Sequence, residues 1–257
     1  MSLDPPAVVI LLVLGLAVGS FLNVCIHRLP LRQSLVSPGS RCPTCGDELR
    51  WFDNIPIVSY VLLGGRCRTC RTRISIQYPI VELITMVLFV VHGLVFGWTP
   101  LLAVRLIFAC ALVVLFAIDL EHQILPDVIT LPGIVIGWMC AVFFAPGFAS
   151  SLLGSLVGGG VLFAIGELWY RVRKIEAMGF GDVKMLAMVG AFLGLKLVIL
   201  TFVLSSFVGG IAGAVLIVSG RGRLASKVPF GTFLALAALV AALAGDRIAD
   251  WYLSLYV

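Results

Sequence analysis

The sequence predicts an all-α polytopic membrane protein of about eight transmembrane helices, interrupted near its start by a small cysteine- and arginine-rich insert. Three observations carry this. Hydrophobic residues make up 61% of the 257 and charged residues only 12%, a balance that no ordinary soluble domain shows and that leaves room for about eight spans of about 20 residues each. Two C-x2-C pairs, Cys42/Cys45 and Cys67/Cys70, lie together in the one long polar stretch. The basic residues, finally, are distributed very unevenly between the segments that join the apolar runs.

The apolar runs place helices near 6–26, 79–97, 101–118, 127–145, 151–170, 182–194, 197–219 and 229–245. The first run has no basic residue before it and is followed by Arg28 and Arg32. It therefore reads as a retained anchor with its start outside, not as a cleaved secretory signal. Threading the remaining spans from that anchor puts 27–78, 119–126, 171–181 and 220–228 on one side. These segments hold 14 of the 18 Lys and Arg residues, eight of them in the first, three in the third and three in the fourth. By the positive-inside rule that side is cytoplasmic. The net charge of +5 thus reflects topology, and nothing else in the sequence supports a nucleic-acid partner. The partner surface that composition does define is membrane lipid. No feature fixes an oligomeric state.

Within the 27–78 insert, 21 residues separate Cys45 from Cys67. Each C-x2-C pair forms a tight knuckle supplying two sulfurs, so the pattern predicts a tetrahedral four-thiolate zinc site made by Cys42, Cys45, Cys67 and Cys70. With four protein ligands no position is open for water, and the metal is expected to be structural; iron can occupy the same four thiolates. Disulfides are disfavoured in a reducing cytosol. Four thiolates on one divalent ion leave surplus negative charge, which Arg41, Arg66, Arg68, Arg71 and Arg73 are placed in sequence to offset. Cys25, Cys110 and Cys140, in apolar runs without metal spacing, read as packing residues, as do the isolated His27, His92 and His122. Gly15/Gly19, Gly154/Gly158 and Gly209/Gly213 have the small-xxx-small spacing of closely packed helices.

Carboxylates in or beside a span are costly, so each is a functional hypothesis. Asp119 ends the third span in AIDLEHQILPD, and Asp182 opens the sixth in GFGDVK. Two spans lie between them, and an even number of crossings returns the chain to the face it left. Both carboxylates are thus expected at the cytoplasmic boundary, where two neighbouring carboxyls that cannot both ionise form a dyad suited to peptide hydrolysis. One activates a water while the other, protonated, polarises the scissile carbonyl. Gly179 and Gly181 are expected to let the backbone bend tightly beside an extended substrate, and Lys184 to answer negative charge near the site. The plain alternative for Asp182 is a helix N-cap after a glycine turn. Asp127 reads as a first-turn carboxylate after Pro126, favourable to the helix dipole and secondary to the site. Glu121 reads as a solvated loop residue, and Glu82 and Glu167 as polar packing within spans.

Taken together, GSFLNVCIHRLP (19–30), the cysteine-bearing stretch 38–82, AIDLEHQILPD (117–127) and GFGDVK (179–184) resemble the type IV prepilin peptidase family, also called leader peptidase and N-methyltransferase. The resemblance implies a bifunctional enzyme of the bacterial cytoplasmic membrane. It would cut the basic leader from type IV prepilins or type II secretion pseudopilins after a glycine, on the cytoplasmic side, and then methylate the new N-terminus with S-adenosylmethionine. Asp119 takes the place of the family's first catalytic aspartate and Asp182 that of the aspartate in its G-x-G-D motif. The four cysteines match the zinc-binding domain associated with the methyltransferase form. This gives an expected division into a first transmembrane helix (1–26), a zinc-binding, methyltransferase-associated domain (27–78) and a membrane-embedded aspartyl peptidase domain (79–257). No glycine-rich nucleotide fingerprint locates the S-adenosylmethionine pocket. A basic leader would favour an acidic docking surface such as Glu121 or Glu176. Two other readings share some of these features: a presenilin-type protease cutting inside the bilayer, and an ion-coupled transporter with a zinc docking module. The zinc pattern and the boundary position of both aspartates favour the prepilin reading over the first; the absence of an inverted repeat of broken helices weighs against the second.

Overall fold

The structure, a computed structural model, describes residues 3–174, 179–219 and 229–255. Glu176 and the basic segment 220–228 lie outside the described residues. The regular elements among the described residues are helices, α1 (Pro5–Arg28), α2 (Val58–Leu62), α3 (Gln77–Phe96), α4 (Pro100–His122), α5 (Asp127–Ala141), α6 (Phe148–Arg173), α7 (Phe180–Val218) and α8 (Phe230–Ser254), plus a 3-10 turn at Trp51–Asn54; the insert adds two isolated antiparallel bridges, Arg41 with Glu48 and Arg66 with Arg73. Six of these, α1, α3, α4, α6, α7 and α8, are long and apolar enough to cross a membrane. The expected run at 127–145 yields a helix of only 15 residues, about 22 Å long at 1.5 Å per residue, short of the roughly 30 Å hydrocarbon layer. The expected sixth and seventh spans run together as α7, 39 residues long and broken at Gly194, where φ is 77°. A side chain at Gly194 would meet Ser150 Oγ at 2.5 Å, so position as well as backbone angle demands glycine there.

The chain divides into two compact units, Met1–Val114 and Leu115–Val257. In the first, α1 and α3 pack with backbones close together, because a Cβ at Gly15 or Gly19 would lie 2.7 Å from the Cα of Met86 or Glu82. Leu11, Phe89, Leu102 and Leu106 fill the adjoining core. His92 is the packing residue expected: it is fully buried, bonds the Leu88 carbonyl through Nδ1 at 2.8 Å and stacks on Phe96. The insert joins the C-terminal end of α1 to the N-terminal end of α3. Arg28 donates to the carbonyls of Ser34 and Pro38 at 2.9 and 2.7 Å, and Asn23 donates to the Tyr78 carbonyl at 3.0 Å.

In the second unit, α6 and α7 meet along small residues. A Cβ at Gly154 or Gly158 would stand 2.7 or 2.8 Å from a backbone oxygen of α7. Ser151 Oγ donates to the Ala191 carbonyl at 2.5 Å, and Trp138 Nε1 donates to Ser155 Oγ at 3.0 Å. The third glycine pair divides: Gly209 lies against Phe233, whereas Gly213 has open space where a side chain would stand. Its spacing therefore does not report packing here.

Candidate active site and thiol cluster

Asp119 occupies the last turn of α4 and Asp182 the first turn of α7, and both are buried, at 5% and 8% exposure. They lie close enough to act on each other electrostatically. The packing explains how residues so far apart in sequence meet. Leu125, in the short α4–α5 connection, presses on both sides: its Cδ1 lies 3.0 Å from where a Gly231 Cβ would be, and its Cβ lies 3.0 Å from the corresponding point on Gly181. Gly231 itself sits against Asp119, whose Cγ would be 3.0 Å from an added Cβ. That close approach lets Thr232, at the start of α8, donate to Asp119 Oδ2 from its backbone N–H at 2.7 Å and from its hydroxyl at 3.0 Å. One Asp119 oxygen is thus held twice.

Asp182 is not the N-cap; Gly179 is. Asp182 is the third helical residue, and its carboxyl reaches back to the Gly179 backbone N–H, the return half of a capping box. The plain reading is thus partly right, yet the same carboxyl also feels the charge of Asp119. Neither Gly179 nor Gly181 has a positive φ, so the tight bend expected of them is not what they supply. Gly181 instead allows Leu125 to pack. Lys184 forms an ion pair with Asp127, joining the first turns of α7 and α5. The end of α4 and the starts of α5, α7 and α8 therefore converge at one face. Glu121 is exposed, in the last turn of α4 instead of a loop. Glu167 pairs with Arg171 at 2.8 Å, whereas Glu82 is buried and accepts from the Ile57 N–H at 2.7 Å. Thr232, Gly231 and Leu125 escaped sequence reasoning, since each reads as an ordinary residue at the edge of an apolar run.

In the insert, the sulfurs of Cys42, Cys45, Cys67 and Cys70 all lie within 4.8 Å of one another, with Cys42 and Cys70 3.7 Å apart. A tetrahedral site with metal–sulfur bonds of about 2.3 Å has edges of about 3.8 Å, so the donor set fits zinc. Each pair is a knuckle of the same build. Cys42 N bonds Asp47 O and Gly46 N bonds Cys42 O, while Cys67 N bonds Thr72 O and Arg71 N bonds Cys67 O, at 2.9 to 3.1 Å. Gly46 and Arg71 take the corresponding left-handed position in the two knuckles, with φ of 73° and 60°.

The negative charge is answered locally. Backbone N–H groups of Cys45 and Thr44 hold the Cys42 thiol below its usual range, and the Thr72 hydroxyl with its backbone N–H pulls Cys70 down to about 6. Cys45, although the Asp47 N–H favours its thiolate, is pushed up to about 12 by desolvation and by the sulfurs of Cys70, Cys42 and Cys67. Such a cluster strongly favours a cation. Two of the arginines expected to neutralise it are engaged elsewhere: Arg68 binds Asp53 at 2.6 Å and Arg41 binds Glu48 at 3.4 Å.

A helical, multi-pass membrane protein with paired buried carboxyls at one helix-end face and a four-thiol cluster in an insert belongs to a narrow class. The Bacterial Peptidase A24 N-terminal domain matches residues 13–96, and the Type IV leader peptidase family matches residues 106–214. Proteins named prepilin leader peptidase/N-methyltransferase are similar along most of the chain. That of Pseudomonas aeruginosa is 38% identical over 268 residues, covering 94% of this chain and 92% of the relative. That of Aeromonas salmonicida is 37% identical over 269 residues, covering 93% and 91%. That of Myxococcus xanthus is 43% identical over 222 residues, covering 85% and 65%. No solved structure matches. The chain belongs to the type IV leader peptidase family.

Proposed function

We propose that this protein removes the leader of type IV prepilins or type II secretion pseudopilins after a glycine and then methylates the exposed amine, with Asp119 and Asp182 as the peptidase dyad. The observation that carries the reading is that both carboxyls are buried where helix ends converge and interact electrostatically, with Asp119 held by Thr232. Two carboxyls that feel each other's charge share one proton. The charged member takes a proton from water as the water attacks the scissile carbonyl, and the protonated member donates to the carbonyl oxygen; the pair then passes a proton to the leaving amine. The Lys184–Asp127 pair and the packing of Leu125 on Gly181 hold the start of α7, and so Asp182, against α5 and the α4–α5 connection.

On this reading 1–26 is an anchor helix, 27–78 a cytoplasmic domain that holds structural zinc through Cys42, Cys45, Cys67 and Cys70 and serves methyl transfer, and 79–257 the peptidase. The molecule resides in the bacterial inner membrane with the dyad and the insert facing the cytoplasm, as the clustering of basic residues supports. A prepilin is a hydrophobic helix whose basic leader projects from the bilayer, so its cut site reaches an interfacial dyad without unwinding a buried helix. S-adenosylmethionine supplies an electrophilic methyl group, which the uncharged N-terminal amine takes, losing a proton while sulfur keeps the bond pair.

Incubating the purified protein with a prepilin and S-adenosylmethionine, then weighing the product, tests both halves. The expected product has lost its leader and gained one methylene mass. An intact prepilin would overturn the peptidase reading. A complete cut without added mass would leave only that half.

A further inference from the structure

Leu125 stands between the two helix starts that bear on the dyad. It is buried, at 8% exposure, and it belongs to the four-residue connection 123–126 that joins α4 to α5. That connection is fixed at both ends. Gln123, at a φ of 54°, donates its N–H to the Asp119 carbonyl at 2.9 Å, and the Pro126 carbonyl accepts from Ile129 and Thr130 at 3.1 and 3.2 Å. Pro126 also biases the backbone of Leu125 toward an extended conformation. The side chain is therefore delivered by a constrained turn that begins on one member of the dyad.

Its neighbours on either side are glycines. A Cβ at Gly181 would lie 3.0 Å from Leu125 Cβ, and a Cβ at Gly231 would lie 3.0 Å from Leu125 Cδ1. Each glycine immediately precedes a residue of the site. Gly181 precedes Asp182, and Gly231 precedes Thr232, whose N–H and hydroxyl hold Asp119. One isobutyl group thus fills the gap between the backbone that carries Asp182 and the backbone that fixes Asp119. The Lys184–Asp127 pair also restrains the start of α7, but its aspartate is exposed, and an ion pair open to water sets position less sharply than a close-packed contact.

We propose that Leu125 is a positioning residue for peptide hydrolysis: it sets the separation of the Asp119 and Asp182 carboxyls, and with it how strictly the pair holds a single proton. The assignment rests on the peptidase reading above. Repulsion between like charges falls with distance. Carboxyls that are no longer held together titrate more nearly as independent groups, and the singly protonated pair then persists over a narrower range of pH. The other charged groups at these helix ends are few. Glu121 and His122 on α4 are exposed, Asp127 and Lys184 pair with each other, and α8 presents no charge before Asp246.

The test is cleavage of a prepilin by the purified full-length protein in detergent, followed across pH. Wild type should give a bell-shaped profile of kcat/KM whose two limbs report the titration of the pair. Leu125→Ala leaves a space that its surroundings fill only in part. It should lower kcat roughly ten- to hundredfold, as a displacement of about 1 Å allows, with KM little changed, and it should bring the two limbs closer together. Leu125→Met conserves volume and should recover both kcat and the spacing of the limbs. Gly181→Ala disturbs the same contact from the other side without opening a cavity, because its methyl must push Leu125 or the start of α7 aside. Its kcat should also fall, although alanine favours the helix. Should Leu125→Ala not accumulate in folded form, Gly181→Ala carries the test by itself. Limbs as far apart in Leu125→Ala as in wild type, a loss confined to KM, or wild-type kcat in Gly181→Ala would each overturn the assignment and leave Leu125 a packing residue. A wild type that leaves the prepilin intact would instead remove the peptidase reading, and this one with it.

Discussion

Thr232 places both its backbone N–H and its hydroxyl on one oxygen of Asp119, at 2.7 and 3.0 Å, across 113 residues of sequence. The first bond depends only on the backbone and on the absence of a side chain at Gly231; the second is specific to a hydroxyl. Thr232→Val, nearly the same size, removes only the second. A hydrogen bond to a charged group contributes about 1.5–3 kcal/mol, so kcat/KM for leader cleavage should fall roughly ten- to hundredfold. Thr232→Ser should recover most of it. Equal activity in the valine variant would show that the hydroxyl does not orient the dyad.

Asp119→Asn and Asp182→Asn test the dyad directly. Asparagine preserves shape and can still accept from Thr232 or Gly179, but it cannot take up or release the catalytic proton. Either change should lower cleavage by at least the roughly 10²- to 10⁴-fold ascribed to acid–base catalysis. Zinc content should be unaffected, because the cysteines lie in the other compact unit. A variant that still cleaves at a near-normal rate is not a member of the dyad.

Cys42→Ser or Cys67→Ser removes one sulfur from a cluster whose members all lie within 4.8 Å. The remaining three ligands bind zinc far more weakly, and the knuckles lose the cation that lets several thiolates coexist. Metal analysis of the purified variants should show loss of zinc. Methyl transfer should fall more than cleavage, since the cysteines hold together the insert proposed to serve methyl transfer. Equal loss of both activities would instead mean that the insert also shapes the peptidase site.

Arg68 holds the Asp53 carboxyl below the usual aspartate range through hydrogen bonds at 2.6 to 3.3 Å, and burial opposes this. Because the folded value lies below the unfolded value of roughly 3.9, the contribution to insert stability is complete at neutral pH. It declines only as the pH falls through and below that range. Asp53→Asn should therefore make the insert more susceptible to limited proteolysis at pH 7, and the difference from wild type should shrink as the pH falls below the usual aspartate range and vanish once it is below the lowered folded value. A difference that persists there would assign the effect to packing and not to charge.

Local patterns carried much of the architecture. The apolar runs fixed where the long helices lie, and the two C-x2-C spacings predicted a cluster that the knuckle geometry explains residue by residue. Both aspartates were singled out because a carboxyl at the edge of a span needs a reason. What could not be read was non-local. The Thr232 hydroxyl acquires its partner only when α8 packs beside α4, and Glu82 is satisfied by a backbone N–H 25 residues earlier. Whether two apolar runs make two helices or one broken helix depends on a single backbone angle at Gly194, which composition does not report.

The α6–α7 contact offers a test of how firmly the scaffold holds Asp182. A Cβ at Gly154 would lie 2.7 Å from Gly190 O and Gly194 C and 2.9 Å from Leu195 N, all backbone atoms of α7. Backbone cannot rotate aside as a side chain can, so Gly154→Ala must push the two helices apart or bend one of them. Overpacking of this kind costs about 1–3 kcal/mol. Gly160, on the same helix, has open space at the corresponding point, and Gly160→Ala should be neutral or slightly stabilising because alanine favours the helix by up to about 1 kcal/mol. Thermal unfolding in detergent should thus separate two chemically identical substitutions six residues apart. Cleavage should follow the same order: α7 carries Asp182, and a displacement of about 1 Å between reacting groups can cost roughly a hundredfold in rate. If Gly154→Ala lowered stability but left kcat unchanged, the start of α7 would be held in place by Leu125 and the Lys184–Asp127 pair independently of its packing on α6.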